Sequence, residues 1–234
     1  MAIALSELPV RRHPRVVRSS RGRAHSRDVA ITAVAAGVFA ALGICAHQDL
    51  LADVNQRVRS LIQRRGPATV RIARAITMLS ESPVHPVLGW LASKGVSRVT
   101  GRTSYAPFAA SMAEFVLNKS TRLFVHQPRP PGAKPRHGLD RRGYPSGHTM
   151  AATAIAFTTA LEIAEGRPRV QRTALFVAAA AYAATMGWTR LTLDEHWIDD
   201  VVGARAGGIA LAILVHRAGS RHAPRSRSYS RTGS

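Results

Sequence analysis

Two histidines, a carboxylate and several arginines stand at spacings that suit phosphoryl transfer. His196 and Asp200 are four apart, so on a helix they share one face. A carboxylate in that position holds one imidazole nitrogen protonated and leaves the other free as a nucleophile. Asp199 is the neighbouring rival, and the one-face spacing favours Asp200. His148, three residues after Pro145, is available as the general acid for a leaving oxygen. Ser146 and Gly147 open an apolar run, where backbone N–H groups and the positive end of a helix dipole form an anion site. Arg122, Arg129 and Arg190 supply planar donor forks that match a tetrahedral anion. Taken singly these features are bland: an interfacial histidine is an anchor, a Ser-Gly pair is an N-cap, and an arginine beside a membrane span meets lipid phosphate. Their joint spacing predicts a two-step reaction with two histidines in separate roles.

The elements that position these residues are predicted to be membrane helices. The chain has 234 residues, 46% of them hydrophobic and only 6% aromatic, so a core must be built from Ala, Val, Leu and Ile. That apolar content excludes a fully disordered chain despite a net charge of +20. One cysteine excludes an internal disulfide framework and a cysteine-based zinc cluster. Residues 29–46 form an 18-residue stretch without charge, and residues 173–189 form 17 more, near the minimum for a spanning helix. Weaker candidates cover 72–93, 103–118, 148–164 and 197–215. These segments lack polar faces at 3.6-residue spacing, which argues against a soluble bundle. The expected fold is all-α: an integral membrane bundle of six transmembrane helices over 29–216, with the first span uncleaved.

The excess charge is concentrated at the two ends. Residues 1–28 carry seven arginines against Glu7 and Asp28, and 217–234 carry five arginines and no acid. Both segments are expected to be disordered, basic and cytoplasmic, attracted to anionic lipid headgroups at about 1 kcal/mol per basic residue. They lack interleaved aromatics and no groove-reading motif lies between them, so no nucleic-acid partner is expected. With the tails inside, the inner connections 94–102 and 165–172 are short and basic, in keeping with the positive-inside bias. The outer connection 47–71 also holds Arg57, Arg59, Arg64 and Arg65, which runs against that bias. Its Leu50, Leu51, Val54, Val58, Leu61 and Ile62 fall at helical spacing and predict an interfacial amphipathic helix. On this topology all three polar clusters reach the extracytoplasmic face.

The strings RLFVHQPRP, PSGH and TRLTLDEHWIDD, spanning residues 122–200, resemble the three ordered motifs of the type 2 phosphatidic acid phosphatase superfamily, in its membrane lipid phosphatase branch. That family's pattern is K-x6-R-P, P-S-G-H and S-R-x5-H-x3-D. The resemblance implies that His196 attacks phosphorus to give a phosphohistidine, with Asp200 orienting it and His148 protonating the leaving group. It further implies that Arg122, Arg129, Arg190, Ser146 and Gly147 hold the phosphate oxygens, without a metal or other cofactor. Two departures stand out: Arg122 replaces the usual lysine, with Lys119 one helical turn away, and Thr189 replaces serine.

The expected activity is hydrolysis of a lipid phosphomonoester or diphosphate, either polyprenyl or phosphatidate-like, at the extracytoplasmic face of a multi-pass cell-membrane enzyme. Phosphotransfer to an acceptor hydroxyl and a catalytically silent lipid-binding protein are the alternatives. Arg205, buried in the sixth span, is expected to pair with Glu114 or Glu81, because intramembrane charges are normally paired.

Overall fold

A computed structural model describes residues 15–63, 66–78 and 84–222. Within them the chain is all-helical, with one isolated bridge between Pro128 and Arg142. Six long helices are α1 (Arg15–His47), α4 (His85–Thr100), α5 (Ala106–Phe124), α6 (Gly147–Ala164), α7 (Arg169–Thr192) and α8 (Ile198–His222). Two shorter ones, α2 (Ala52–Gln63) and α3 (Pro67–Met78), fill the connection between α1 and α4. One stretch, His25–His47, is long and apolar enough to cross a membrane by length and composition alone.

α6 is the hub, packed against α4, α5, α7 and α8, while α1 lies outside against α8 and α3 against α7. Its buried face is made of small residues: Thr149, Ala151, Ala152, Thr153, Ala154, Thr158 and Ala160. Small side chains let helix backbones approach closely, and the Thr153 and Thr158 hydroxyls are returned to backbone carbonyls one turn earlier. Large apolar residues point the other way. Val29, Val34, Phe115, Val116, Trp90, Leu91, Val170 and Val177 are exposed on the outer helix faces, an arrangement in which dispersion contacts must come from outside the chain.

Several boundaries differ from expectation. The segment 72–93 is not one helix: α3 ends at Met78 and α4 starts at His85, with residues 79–83 outside the described part. Pro86 lies in the first turn of α4, the one helical position where its missing N–H is harmless. Residues 94–100, expected as part of an inner connection, are helical. α1 begins at Arg15 and α8 runs to His222, so residues 15–28 and 217–222 are helical rather than tail. The rest of both expected tails lies outside the described residues. The amphipathic helix expected after α1 is present as α2, with Val54 and Leu61 exposed on one side.

The Arg205 pairing with Glu114 is not found. The Arg205 guanidinium donates instead to the Ala184 carbonyl of α7 at 3.2 Å. It lies directly over Gly187, where a Cβ would meet Nη2 at 2.7 Å. A glycine thus opens the route from Nη2 to a backbone acceptor. Glu114 lines a cavity at the end of α5, and Glu81 is outside the described residues.

One packing contact sets the position of the 145–148 segment. Tyr144 is fully buried, its hydroxyl donates to the Phe39 carbonyl, and its ring lies against α8 at Gly203. A Cβ at Gly203 would stand 2.3 Å from the Tyr144 oxygen. Gly203→Ala is therefore expected to destabilise the protein by about 1–3 kcal/mol through overpacking, lowering the apparent Tm in detergent and kcat together. An unchanged Tm would contradict this packing.

Candidate active site

The C-terminal ends of α5 and α7 and the N-terminal ends of α6 and α8 converge at one end of the bundle. Arg122 and Arg190 occupy the last turns of α5 and α7, where cations complement the helix dipole, and Asp199 and Asp200 occupy the first turn of α8. The connections bind these ends to each other. Asn118 Nδ2 and Arg122 Nη2 both donate to the Pro145 carbonyl, at 3.2 and 3.0 Å. The Ser146 N–H donates to the Asp200 carbonyl at 3.3 Å. The second motif is therefore bonded to the first through the Arg122 side chain and to the third through its backbone.

His196 is buried between two fixed partners. Its Nδ1 lies 3.0 Å from Asp200 Oδ2, an oxygen that also accepts the Trp197 N–H at 2.9 Å. Its Nε2 lies 3.1 Å from Arg129 Nη1. A guanidinium can only donate, so Nε2 carries the lone pair and Nδ1 carries the proton, given to Asp200. This is the tautomer a nucleophilic histidine requires. Burial first, then the charges of Arg129, Arg190 and Arg122, hold the imidazole well below its ordinary range, so it stays neutral. Asp199 is excluded from the role by its own contacts. Its Oδ2 accepts from Asn55 and Gln127, both at 2.9 Å, and its Oδ1 from the Asp200 N–H.

A cavity of about 70 Å³ lies in front of this pair, lined by Lys119, Arg122, Arg129, Arg136, Arg190, Gly147, His148 and His196, with His85, Glu114, Asn118 and Asp140. Five basic side chains thus face one cavity. His148 reaches it from the first turn of α6, its Nε2 buried and without a hydrogen-bond partner, and its ring set edge-on to His85 at 5.3 Å. The cations are arranged by two acids. Asp140 Oδ1 accepts from both Lys119 and Arg122 at 2.7 Å, and Glu195 lies 3.4 Å from Arg136 and from Arg190. Burial alone would raise the Asp140 carboxyl, but the Lys119 hydrogen bond and the charges of Lys119, Arg122 and Arg129 bring it below the usual carboxylate range. Arg129 is lowered to about 10, by burial and then by the repulsion of Arg122, and so remains a cation at neutral pH.

Of the residues expected from sequence, Arg122, Arg129, Arg190, Gly147, His148 and His196 line this cavity, and Asp200 stands behind His196. Ser146 does not face it. Its side chain is fully buried, its hydroxyl meets Thr149 Oγ1 at 3.0 Å and its N–H is taken by Asp200. The Thr189 hydroxyl bonds inside its own helix, to the Met186 carbonyl. Lys119, off register by sequence, lies on the cavity beside Arg122. Sequence reasoning passed over Asp140, Arg136, His85 and Glu195. Only Glu195 carried a signal, since it adjoins His196 and so many converging cations require acids. Arg59, which ran against the positive-inside bias, pairs bidentately with Asp194 at 2.7 Å and ties α2 to the turn before His196.

The geometry fixes the sign of one pH effect. A nucleophilic imidazole acts only when neutral, and a depressed histidine keeps its neutral form on acidification. The acid limb of kcat/KM is therefore expected on the acidic side of 6.5, the ordinary histidine value. A pH–rate profile with that limb centred at or above this value would contradict the assignment.

The sequence model of the PAP2 superfamily matches residues 104–223, which contain every lining residue of this cavity except His85. Among solved structures, the chain is similar to the first transmembrane PAP2-type phosphatidylglycerolphosphate phosphatase from Bacillus subtilis, with a TM-score of 0.70 at 21% identity, covering 84% of this chain and 98% of that one. It is also similar to LpxE of Aquifex aeolicus, with a TM-score of 0.51 at 26% identity, covering 70% and 95%. No curated protein sequence matches significantly. The family match, its fall across all three motifs and the shared helical fold together place this chain in the PAP2 superfamily.

Proposed function

We propose that the protein is an integral membrane lipid phosphatase that hydrolyses a lipid phosphomonoester or diphosphate through a phosphohistidine on His196. The observation that carries this reading is the placement of His196, with Nδ1 against Asp200 and Nε2 facing a cavity rimmed by five cations. On binding, phosphate oxygens replace Nε2 as the acceptor for Arg129 and replace Asp140 as the acceptor for Lys119 and Arg122. Arg190 and the N–H groups opening α6 complete the cradle. His196 Nε2 attacks phosphorus, the bond to the leaving oxygen breaks, and His148 gives that oxygen its proton. Water then attacks the phosphohistidine as His148 takes a proton back, releasing inorganic phosphate and free His196.

In this reading α1 and α4–α8 are six spans, with both termini cytoplasmic and the cavity extracytoplasmic. Support comes from the end of the bundle opposite the cavity. There Arg102 bonds Glu165, Ser104 bonds Glu162, His216 meets Glu162, and Arg217 pairs with Asp28 of α1. That end gathers the basic connections after α4 and α6, with Asp28 of α1 and Arg217 of α8, as a cytoplasmic surface should. The two similar solved proteins are a phosphatidylglycerolphosphate phosphatase and LpxE, and a membrane lipid phosphate is the substrate class proposed here also.

The test is phosphate release by detergent-purified protein, in EDTA, from polyprenyl phosphates, polyprenyl diphosphates and phosphatidate, with and without an added alcohol acceptor. Release from at least one lipid, abolished in His196→Ala, is the expected result. Phosphate appearing on the acceptor instead of in solution would establish transfer, and inertness toward every lipid by folded protein would overturn the enzyme reading.

A further inference from the structure

Asn55 and Arg59 stand four apart on α2 and so share one face of that helix. Both lie outside residues 104–223, the stretch matched by the family model. Their partners stand on either side of the nucleophile: Asp194 is two residues before His196 and Asp199 three after it. Arg59 grips Asp194 as a fork, Nε on Oδ1 and Nη2 on Oδ2, both at 2.7 Å. Asp194 Oδ2 also accepts the Gly132 N–H at 2.9 Å, so one carboxylate joins α2 to the 125–146 connection. Asn55 is buried. Its Nδ2 donates to Asp199 Oδ2 at 2.9 Å, and its Oδ1 accepts the Asp199 N–H at 3.5 Å.

The segment between these two contacts is a turn. α7 ends at Thr192 and α8 starts at Ile198, so His196 sits in a bend and not on a helix. Asp194 has a φ of +55°, in the left-handed region that a residue with a Cβ adopts at a cost. Such a conformation persists where its surroundings hold it, and here the Arg59 fork engages both carboxylate oxygens. Asp199 is a buried carboxylate directly beside another, Asp200. Its oxygens are answered by the Asn55 and Gln127 amides on Oδ2 and by the Asp200 N–H on Oδ1, the kind of hydrogen bonding a buried charge requires.

We propose that α2 positions the nucleophile, with Asn55 and Arg59 as positioning residues that fix the 193–199 turn on both sides of His196 and so aim its Nε2 at phosphorus. The proposal deepens the hydrolase reading above and rests on it. Neither residue lines the catalytic cavity, so both act through the turn. In-line attack requires the nitrogen, phosphorus and leaving oxygen to be aligned, and a displacement of about 1 Å costs roughly 10²-fold in rate. Asp200 sets which ring nitrogen carries the proton, and α2 sets where the ring stands. The phosphate cradle belongs to other residues, so loss of the α2 contacts is felt in kcat and not in binding.

The experiment measures kcat, KM, inhibition by inorganic phosphate and the detergent Tm for Arg59→Ala, Asn55→Ala, Arg59→Lys and Arg57→Ala. The substrate is whichever of a polyprenyl phosphate, its diphosphate and phosphatidate the wild type hydrolyses fastest. Arg59→Ala is expected to lower kcat by about 100-fold and Asn55→Ala by at least about tenfold. KM and the phosphate inhibition constant should stay within about threefold of wild type, the pattern of a lost transition-state alignment. Arg59→Lys keeps the charge but loses the fork, and about a tenfold loss is expected. Arg57 is exposed and lies on the opposite side of α2 from Arg59, so Arg57→Ala removes an equal charge and should keep the wild-type rate. If either alanine variant does not fold, Arg59→Lys carries the test: a fall in kcat at constant KM supports the proposal, and full activity overturns it. A kcat within about threefold of wild type in either folded alanine variant would overturn the proposal and leave the hydrolase standing. So would a rise in the phosphate inhibition constant equal to the fall in kcat, or an equal loss in Arg57→Ala. Phosphate release absent in wild type, or indifferent to His196→Ala, would instead remove the hydrolase reading itself.

Discussion

Replacing His196 by alanine is expected to lower phosphate release by roughly 10⁴-fold or more, the scale seen when a covalent nucleophile is removed. The size follows from what remains. Without Nε2 the cavity keeps its five cations and His148, so it still binds phosphate but has no atom to attack it. KM should therefore change much less than kcat. The fold should persist, because the ring's two hydrogen-bonding partners have other contacts: Asp200 accepts the Trp197 N–H, and Arg129 donates to the Glu195 and Asp140 carbonyls. Activity within tenfold of wild type in a folded His196→Ala protein would exclude His196 as nucleophile.

Asp200→Asn is expected to reduce kcat by about 10³–10⁴-fold with little change in KM. Asp200 touches no substrate-facing space; it acts through the ring. Its Oδ2 receives both the His196 Nδ1–H and the Trp197 N–H, so the position requires an acceptor. An asparagine that keeps its oxygen there preserves the tautomer but loses the charge that stabilises the developing cation on phosphorylation. An asparagine turned the other way presents a donor, which moves the ring proton to Nε2 and silences the nucleophile. Because the defect is in the ring and not in the phosphate cradle, inhibition by inorganic phosphate should be nearly unchanged. A rise in the phosphate inhibition constant equal to the fall in kcat would show that Asp200 supports binding instead.

The chemistry was legible in the sequence where it rests on local geometry. His196 and Asp200 meet because they are close in sequence, although His196 sits in the bend just before α8 and Asp200 in its first turn; Arg122, Arg190 and Gly147 meet because each stands at a helix end. The parts that were not legible depend on contacts distant in sequence. Asp140 reaches Lys119 and Arg122 only because the 125–146 connection folds back on itself, with the Gly143 N–H donating to the Gln127 carbonyl. Arg136 and His85 come to the cavity by the same long-range packing. Arg205 meets a backbone carbonyl over Gly187 and not Glu114, and Glu81, the other expected partner, lies outside the described residues. The segment 72–93 misled because its apolar residues suggest one span, whereas α4 starts at His85 with Pro86 in its first turn. Ser146 misled because the sequence places it at a helix start without showing that its hydroxyl and N–H are already satisfied.

The central claim is a covalent phosphate on His196, and trapping it is the most direct test. Terminally labelled polyprenyl diphosphate would be mixed with wild-type and His148→Ala protein, quenched in alkali within milliseconds to seconds, and the labelled peptide identified. The account predicts an alkali-stable, acid-labile phosphohistidine on the peptide containing His196, absent in His196→Ala. The label should last longer in His148→Ala, where no side chain activates the water. Phosphate release with no label on the protein at any time, or label on a different residue, would contradict it.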